Sequence, residues 1–203
     1  MLNLMNEKVD MNFTKKVHYY FKELKGTIDC VNIDQIQEVI EQIMKAYQQE
    51  RFIYVFGNGG SASTASHLVT DFNKGISCNL KKKFRVFCLN DNIPIMLAIS
   101  NDVNYRLIFK NQLENYLQSN DLVIAISGSG NSNNVIEAVE YANTKGANTI
   151  GLVGFDGGKL TKIAKYSIHV PVHNMQQVEN LHLAIQHLTV RILLDYLIVN
   201  KYE

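Results

Sequence analysis

Five short runs of almost unbroken apolar residues, separated by longer helix-like stretches, constrain this 203-residue chain more than any other feature. They cover residues 52–56, 84–89, 122–126, 149–153 and 167–171 and are rich in Val, Ile, Phe and Leu. A strand with one wet face alternates apolar with polar residues, whereas a strand apolar at every position is buried on both faces. Such strands alternating with helical patterns predict parallel βαβ units in a doubly wound α/β domain. The helical patterns are clearest over 104–117 and 132–145. Two long amphipathic segments, 31–49 and 178–199, flank the strand region. With only Pro94 and Pro171 in the chain and no linker-like stretch, one domain over residues 33–203 with a helical N-terminal extension over 1–32 is expected. A leading amphipathic helix must bury its apolar stripe, and pairing with another subunit is one way to do so.

Composition excludes several functions. A formal net charge of +1 gives no nucleic-acid or membrane surface, and the one dense basic run, Lys81-Lys82-Lys83, reads as a solvated turn before a strand. Cys30, Cys78 and Cys88 form no CxxC pair, which argues against a disulfide framework or a cysteine zinc site and for a reducing cytoplasm. The opening MLNLMNEKVDMNF lacks a long apolar core, so no signal peptide is expected, and no membrane span is expected elsewhere.

Two loops are suited to an anion. Gly57-Asn58-Gly59-Gly60-Ser61 leaves the first strand and opens a helix, where backbone amides and the helix dipole favour negative charge. Ser127-Gly128-Ser129-Gly130-Asn131-Ser132 leaves the third strand in the same way and adds three hydroxyls. The first loop also fits a dinucleotide fingerprint through Gly57, Gly59 and Ala62. The next acidic residue past the following strand, Asp91, comes about thirty residues on instead of the usual twenty or so, and no P-loop lysine follows. Two such loops at the carboxyl ends of parallel strands favour a phosphorylated ligand over tight turns with capping serines.

Acid/base groups accompany the loops. His67 and Asp71 stand at i,i+4 spacing, on one helix face. Glu179 and His187 share the last helical segment, but eight residues of regular helix span about 12 Å, so one metal ion strains the reach of both. Either that helix begins after Glu179, or the two residues serve sites in different subunits; His182 is better placed as a local partner for Glu179. His169 reads as a structural histidine within a strand.

These residues, with Asn101-Asp102, Asp156-Gly157-Gly158 and the closing Glu179…His187 segment, resemble the phosphoheptose isomerases of the sugar-isomerase (SIS) family from about residue 33 to 197. The resemblance implies a three-layer αβα sandwich with a five-stranded parallel sheet, the SIS fold. It implies a homotetramer with active sites at subunit interfaces, and isomerisation of sedoheptulose 7-phosphate to a heptose 7-phosphate. Substrate contacts are then carried by Asn58, Gly59, Gly60, Ser61, Asp71, Asn101, Asp102, Ser127, Gly128, Ser129, Ser132 and Glu179. Zinc ligands fall on His67, Asp71, Glu179 and His187, and acid/base roles on Asp71 or Glu179 together with His187. The chain departs from the family at two of these: Asp71 replaces the usual glutamate and Glu179 a glutamine. Gly128 stands where threonine is common, and Lys74 is the nearest basic residue to a missing arginine. A non-catalytic phosphosugar-binding or replication-initiation-associated protein of the same fold is the alternative; retention of Glu179 and His187 counts against it.

Overall fold

The protein is described by a computed structural model over residues 12–199; the first eleven residues of the expected N-terminal extension and the last four of the chain lie outside the described residues. Helices α1 (Phe13–Asp29) and α2 (Ile33–Gln48) lead into β1 (Phe52–Gly57). Each starts at an asparagine whose side chain accepts from the first turn, Asn12 from Lys15 N at 3.1 Å and Asn32 from Asp34 N at 2.8 Å. On α2 the buried positions Ile36, Val39, Ile43, Ala46 and Tyr47 fall at helical spacing, so one stripe faces the sheet.

Strands β1, β2 (Arg85–Cys88), β3 (Leu122–Ser127), β4 (Asn148–Gly154) and β5 (Tyr166–Val170) form one parallel sheet in the order β2-β1-β3-β4-β5. All five expected strands are present, with no end shifted by more than one residue. Successive side chains feed opposite cores. Ile53 and Val55 of β1 pack with α2, α3 (Gly60–Thr70) and α8 (Met175–Val199). Tyr54 and Phe56 pack on the other face with α6 (Asn133–Thr144), α7 (Leu160–Ile163) and α5 (Lys110–Tyr116). Three layers follow, and the strand order reverses between β1 and β3. The connections leaving those two strands go to opposite faces and open a crevice at their carboxyl ends.

Departures from the expected elements are local. The helix expected over 104–117 is broken: a helix α4 (Ile93–Ile99) that periodicity did not single out runs into a π-helical turn, Ser100–Asn104, then a tight turn, Tyr105–Leu107, before α5 starts. Asn104 causes the break. Its backbone is extended, and its side chain accepts from Arg106 N at 2.8 Å, as a cap does. Helix α8 begins at Met175, so Glu179 lies inside it rather than before it. An 18-residue stretch of α8 has a mean hydropathy of 1.3, so by length and composition it is a candidate membrane span, contrary to expectation. Val178, Leu181, Ile185, Leu193 and Leu197 are buried, as in a helix packed on a core.

Candidate active site

The glycine-rich loop is held from two directions. Asn90, just past β2, accepts from Gly57 N at 3.2 Å and donates to Gly57 O at 2.9 Å, continuing the sheet's pairing through a side chain. Asn58 pairs with Asn134 of α6 through reciprocal amide bonds of 2.8 and 2.9 Å, and its Oδ1 also accepts from the Tyr105 hydroxyl at 3.1 Å. The Asn58 side chain thus joins the first loop, the helix after the second loop and the segment carrying Asn101 and Asp102. Asn90, Asn134 and Tyr105 were missed in the sequence because no local spacing marks an amide whose partner is 33 or more residues away.

The serine loop is buttressed from below. Ser127 Oγ lies 3.2 Å from Ser132 Oγ, Leu160 N donates to Gly130 O at 2.9 Å, and Lys159 N donates to Asn131 Oδ1 at 2.9 Å. Gly130 has φ of 65°, and a Cβ there would sit 2.1 Å from Gly157 O. The Asp156-Gly157-Gly158 motif therefore acts as packing for the serine loop. Ser61 and Ser127 are largely buried, whereas Gly59, Gly60, Asn101 and Asp102 are exposed. Asn101 donates to Asp102 Oδ1 at 2.7 Å on the π-helical turn.

His67, at the end of α3, and Asp71, opening the π-helical turn Asp71–Ile76, meet His187 from α8. The two Nε2 atoms are 3.3 Å apart, and each faces Asp71 Oδ2, at 3.5 Å from His67 and 3.8 Å from His187. Their ligand atoms all lie within 4.8 Å of one another, and both imidazoles are solvent-accessible. Two ring nitrogens 3.3 Å apart cannot both point a proton at each other, so at least one presents a lone pair to the space between the rings. That is a donor set that accepts a divalent cation. Buried Gln186, beside His187, donates to Asp71 Oδ2 at 3.1 Å.

Glu179 is not brought to this cluster within one chain. It lies two turns of α8 from His187, and its carboxylate rests on the amino end of α3, where a Cβ on Gly60 would be 2.5 Å from Oε1. It makes no hydrogen bond or ion pair to another described residue. His182 is not a partner for it. It is 1% exposed, its Nε2 lies 3.2 Å from Val153 O, and burial pushes its pKa down to about 4 despite that carbonyl. The two loops thus offer backbone amides and hydroxyls to an anion, and the Glu179 carboxylate, unengaged by any described residue, rests at the glycine loop.

A profile of the SIS domain matches residues 19–154. The chain is 33% identical over 178 residues to phosphoheptose isomerase of Syntrophotalea carbinolica, covering 86% of this chain and 90% of that one. It is 35% identical over 170 residues to phosphoheptose isomerase of Thermodesulfovibrio yellowstonii, covering 82% of each. Among solved structures, phosphoheptose isomerase from Neisseria gonorrhoeae is similar with a TM-score of 0.82 at 25% identity, over 89% of this chain and 97% of that one. Fold and sequence agree, and the chain belongs to the phosphoheptose isomerases of the SIS-domain family.

Proposed function

We propose that this chain isomerises sedoheptulose 7-phosphate to D-glycero-D-manno-heptose 7-phosphate through an enediol. The observation that carries the reading is the Glu179 carboxylate, unengaged by any described residue, resting on the amino end of α3 at the glycine loop, with the His67–Asp71–His187 cluster farther along α3 and α8. Phosphate is assigned to the serine loop, whose hydroxyls and helix α6 amino end suit three anionic oxygens.

The reaction moves one proton between neighbouring carbons. A base takes a proton from C1 of the ketose, the C1–C2 double bond forms, and the C2 oxygen takes up charge. Transfer of the O1 proton to the C2 oxygen and return of the abstracted proton to C2 then give the aldose. Glu179 suits the base role because no described residue engages its carboxylate, whereas Asp71 is already held by Gln186 and faced by two imidazoles. An enediol bound in one orientation presents both carbons to the same side, so one carboxylate can take the proton and return it. His67, Asp71 and His187 would hold zinc, which when bound would polarise the carbonyl and stabilise the developing oxyanion. Glu179 would reach the same substrate from a neighbouring subunit, because it lies two turns of α8 from His187 within one chain.

A homotetramer with sites at subunit interfaces is part of the same proposal. It is supported by exposed apolar residues on α1 (Phe13, Val17, Phe21) and on α8 beside His187 (Leu188, Ile192, Tyr196). Three free thiols accord with a cytoplasmic setting. The test is a coupled assay with sedoheptulose 7-phosphate, with and without zinc, beside Asp71→Asn, Glu179→Gln and His187→Ala. Turnover by the wild type and losses of at least about a hundredfold in the variants support the roles. Absence of turnover with zinc bound removes the reading.

A further inference from the structure

We propose that Gln186 is a positioning residue that holds the Asp71 carboxylate in place for the metal ion, and that it does so at the expense of the fold. The inference rests on the metal reading above. Gln186 is 2% exposed and sits one residue before His187, so the same turn of α8 sends an imidazole outward and an amide inward. Its Nε2 donates to Asp71 Oδ2 at 3.1 Å. His67 and His187 approach that oxygen only to 3.5 and 3.8 Å. Among the described residues, the Gln186 bond is therefore the one hydrogen bond that fixes the orientation of the carboxylate.

The other end of the amide shows what it is not for. Gln186 Oε1 is buried and has no hydrogen-bond partner among the described residues. A buried acceptor left unmet costs stability, and an apolar side chain of the same length would fill the space without that cost. Packing alone gives no reason for glutamine here, whereas the carboxylate does. A ligating carboxylate with two free torsions binds a cation better once one of its oxygens is tied down, and the bond also couples α8, which carries His187, to the end of α3, which carries His67. Hydrogen-bonded supports of this kind are typically worth about 10–100-fold in metal affinity.

The experiment is a zinc titration of metal-free wild type, Gln186→Met, Gln186→Leu and Asp71→Asn against a chromophoric chelator, with thermal melting of the same metal-free samples. The expected result is a pair of Gln186 variants that melt at or above the wild-type temperature yet bind zinc about 10–100-fold more weakly. Their turnover should fall at limiting zinc and recover as zinc is raised. Wild-type zinc affinity in both Gln186 variants overturns the inference alone. So does a loss of affinity that comes only with a lowered melting temperature, because Gln186 would then be holding the fold. A wild type that binds no zinc, like Asp71→Asn, overturns the metal reading itself.

Discussion

Lowering the pH from 7 to 5 is expected to cost the fold about 2 kcal/mol through His182 alone. The ring is buried on the inner face of α8, its Nε2 against the Val153 carbonyl and its Nδ1 without a hydrogen-bond partner among the described residues. Burial disfavours the imidazolium and brings the folded-state pKa to about 4 from an ordinary 6.5; the carbonyl opposes that shift and loses. The unfolded chain therefore takes up a proton that the folded chain refuses. The stabilisation is present above pH 6.5, declines by about 1.4 kcal/mol per pH unit below it, and levels off near pH 4. His182→Gln removes the titration and keeps a donor for Val153 O. Denaturant midpoints at pH 7, 6 and 5 isolate the effect from the other histidines: wild type should lose about 2 kcal/mol more than the variant between pH 7 and 5. Parallel pH curves for the two proteins would refute the argument, because they would show the ring charging freely in the folded state.

Three further outcomes follow from the geometry. Asp121, 1% exposed, accepts from Phe52 N at 3.1 Å and from Gln118 N at 2.9 Å, so it ties the starts of β1 and β3 together. Asp121→Ala strands both donors and should lower stability by about 2–4 kcal/mol, measured by urea unfolding. Tyr105→Phe removes the hydroxyl bond to Asn58, worth about 1 kcal/mol. Steady-state kinetics should show KM raised about fivefold with kcat within about twofold, because the loop is loosened and the acid/base groups are untouched. Asn134→Leu, which removes the reciprocal amide pair, should raise KM further and lower the melting temperature as well, since Asn134 is buried.

What the sequence shows and what it hides have a common physical cause. The strands were legible because residues such as Val123, Ile124 and Ala125 are buried on both faces, and full burial demands an unbroken apolar run. The two loops were legible because glycine- and serine-rich turns directly follow β1 and β3 and lead into helices. Helix α4 was not, since none of its residues is buried and it carries no amphipathic stripe to recognise. The break at Asn104 hides inside a helical period, because a capping side chain overrides propensity without altering the apolar pattern. At the site, the pairing of His67 with Asp71 follows from i,i+4 spacing. The distance between Glu179 and His187 follows from the rise of a helix once α8 is known to start at Met175. Gln186 carries no such signal. It is one polar residue beside a histidine, and its partner lies 115 residues away.

The most direct test of the central claim is to incubate sedoheptulose 7-phosphate with the zinc-loaded wild type and to follow the sugar by proton NMR, with Glu179→Gln alongside. The account predicts anomeric signals of a heptose 7-phosphate growing in until the two sugars reach equilibrium, with no growth beyond background in the variant. Unchanged sedoheptulose 7-phosphate in the presence of a protein that binds it, detected as a rise in melting temperature, would contradict the account and leave the crevice a binding site without the chemistry assigned to it.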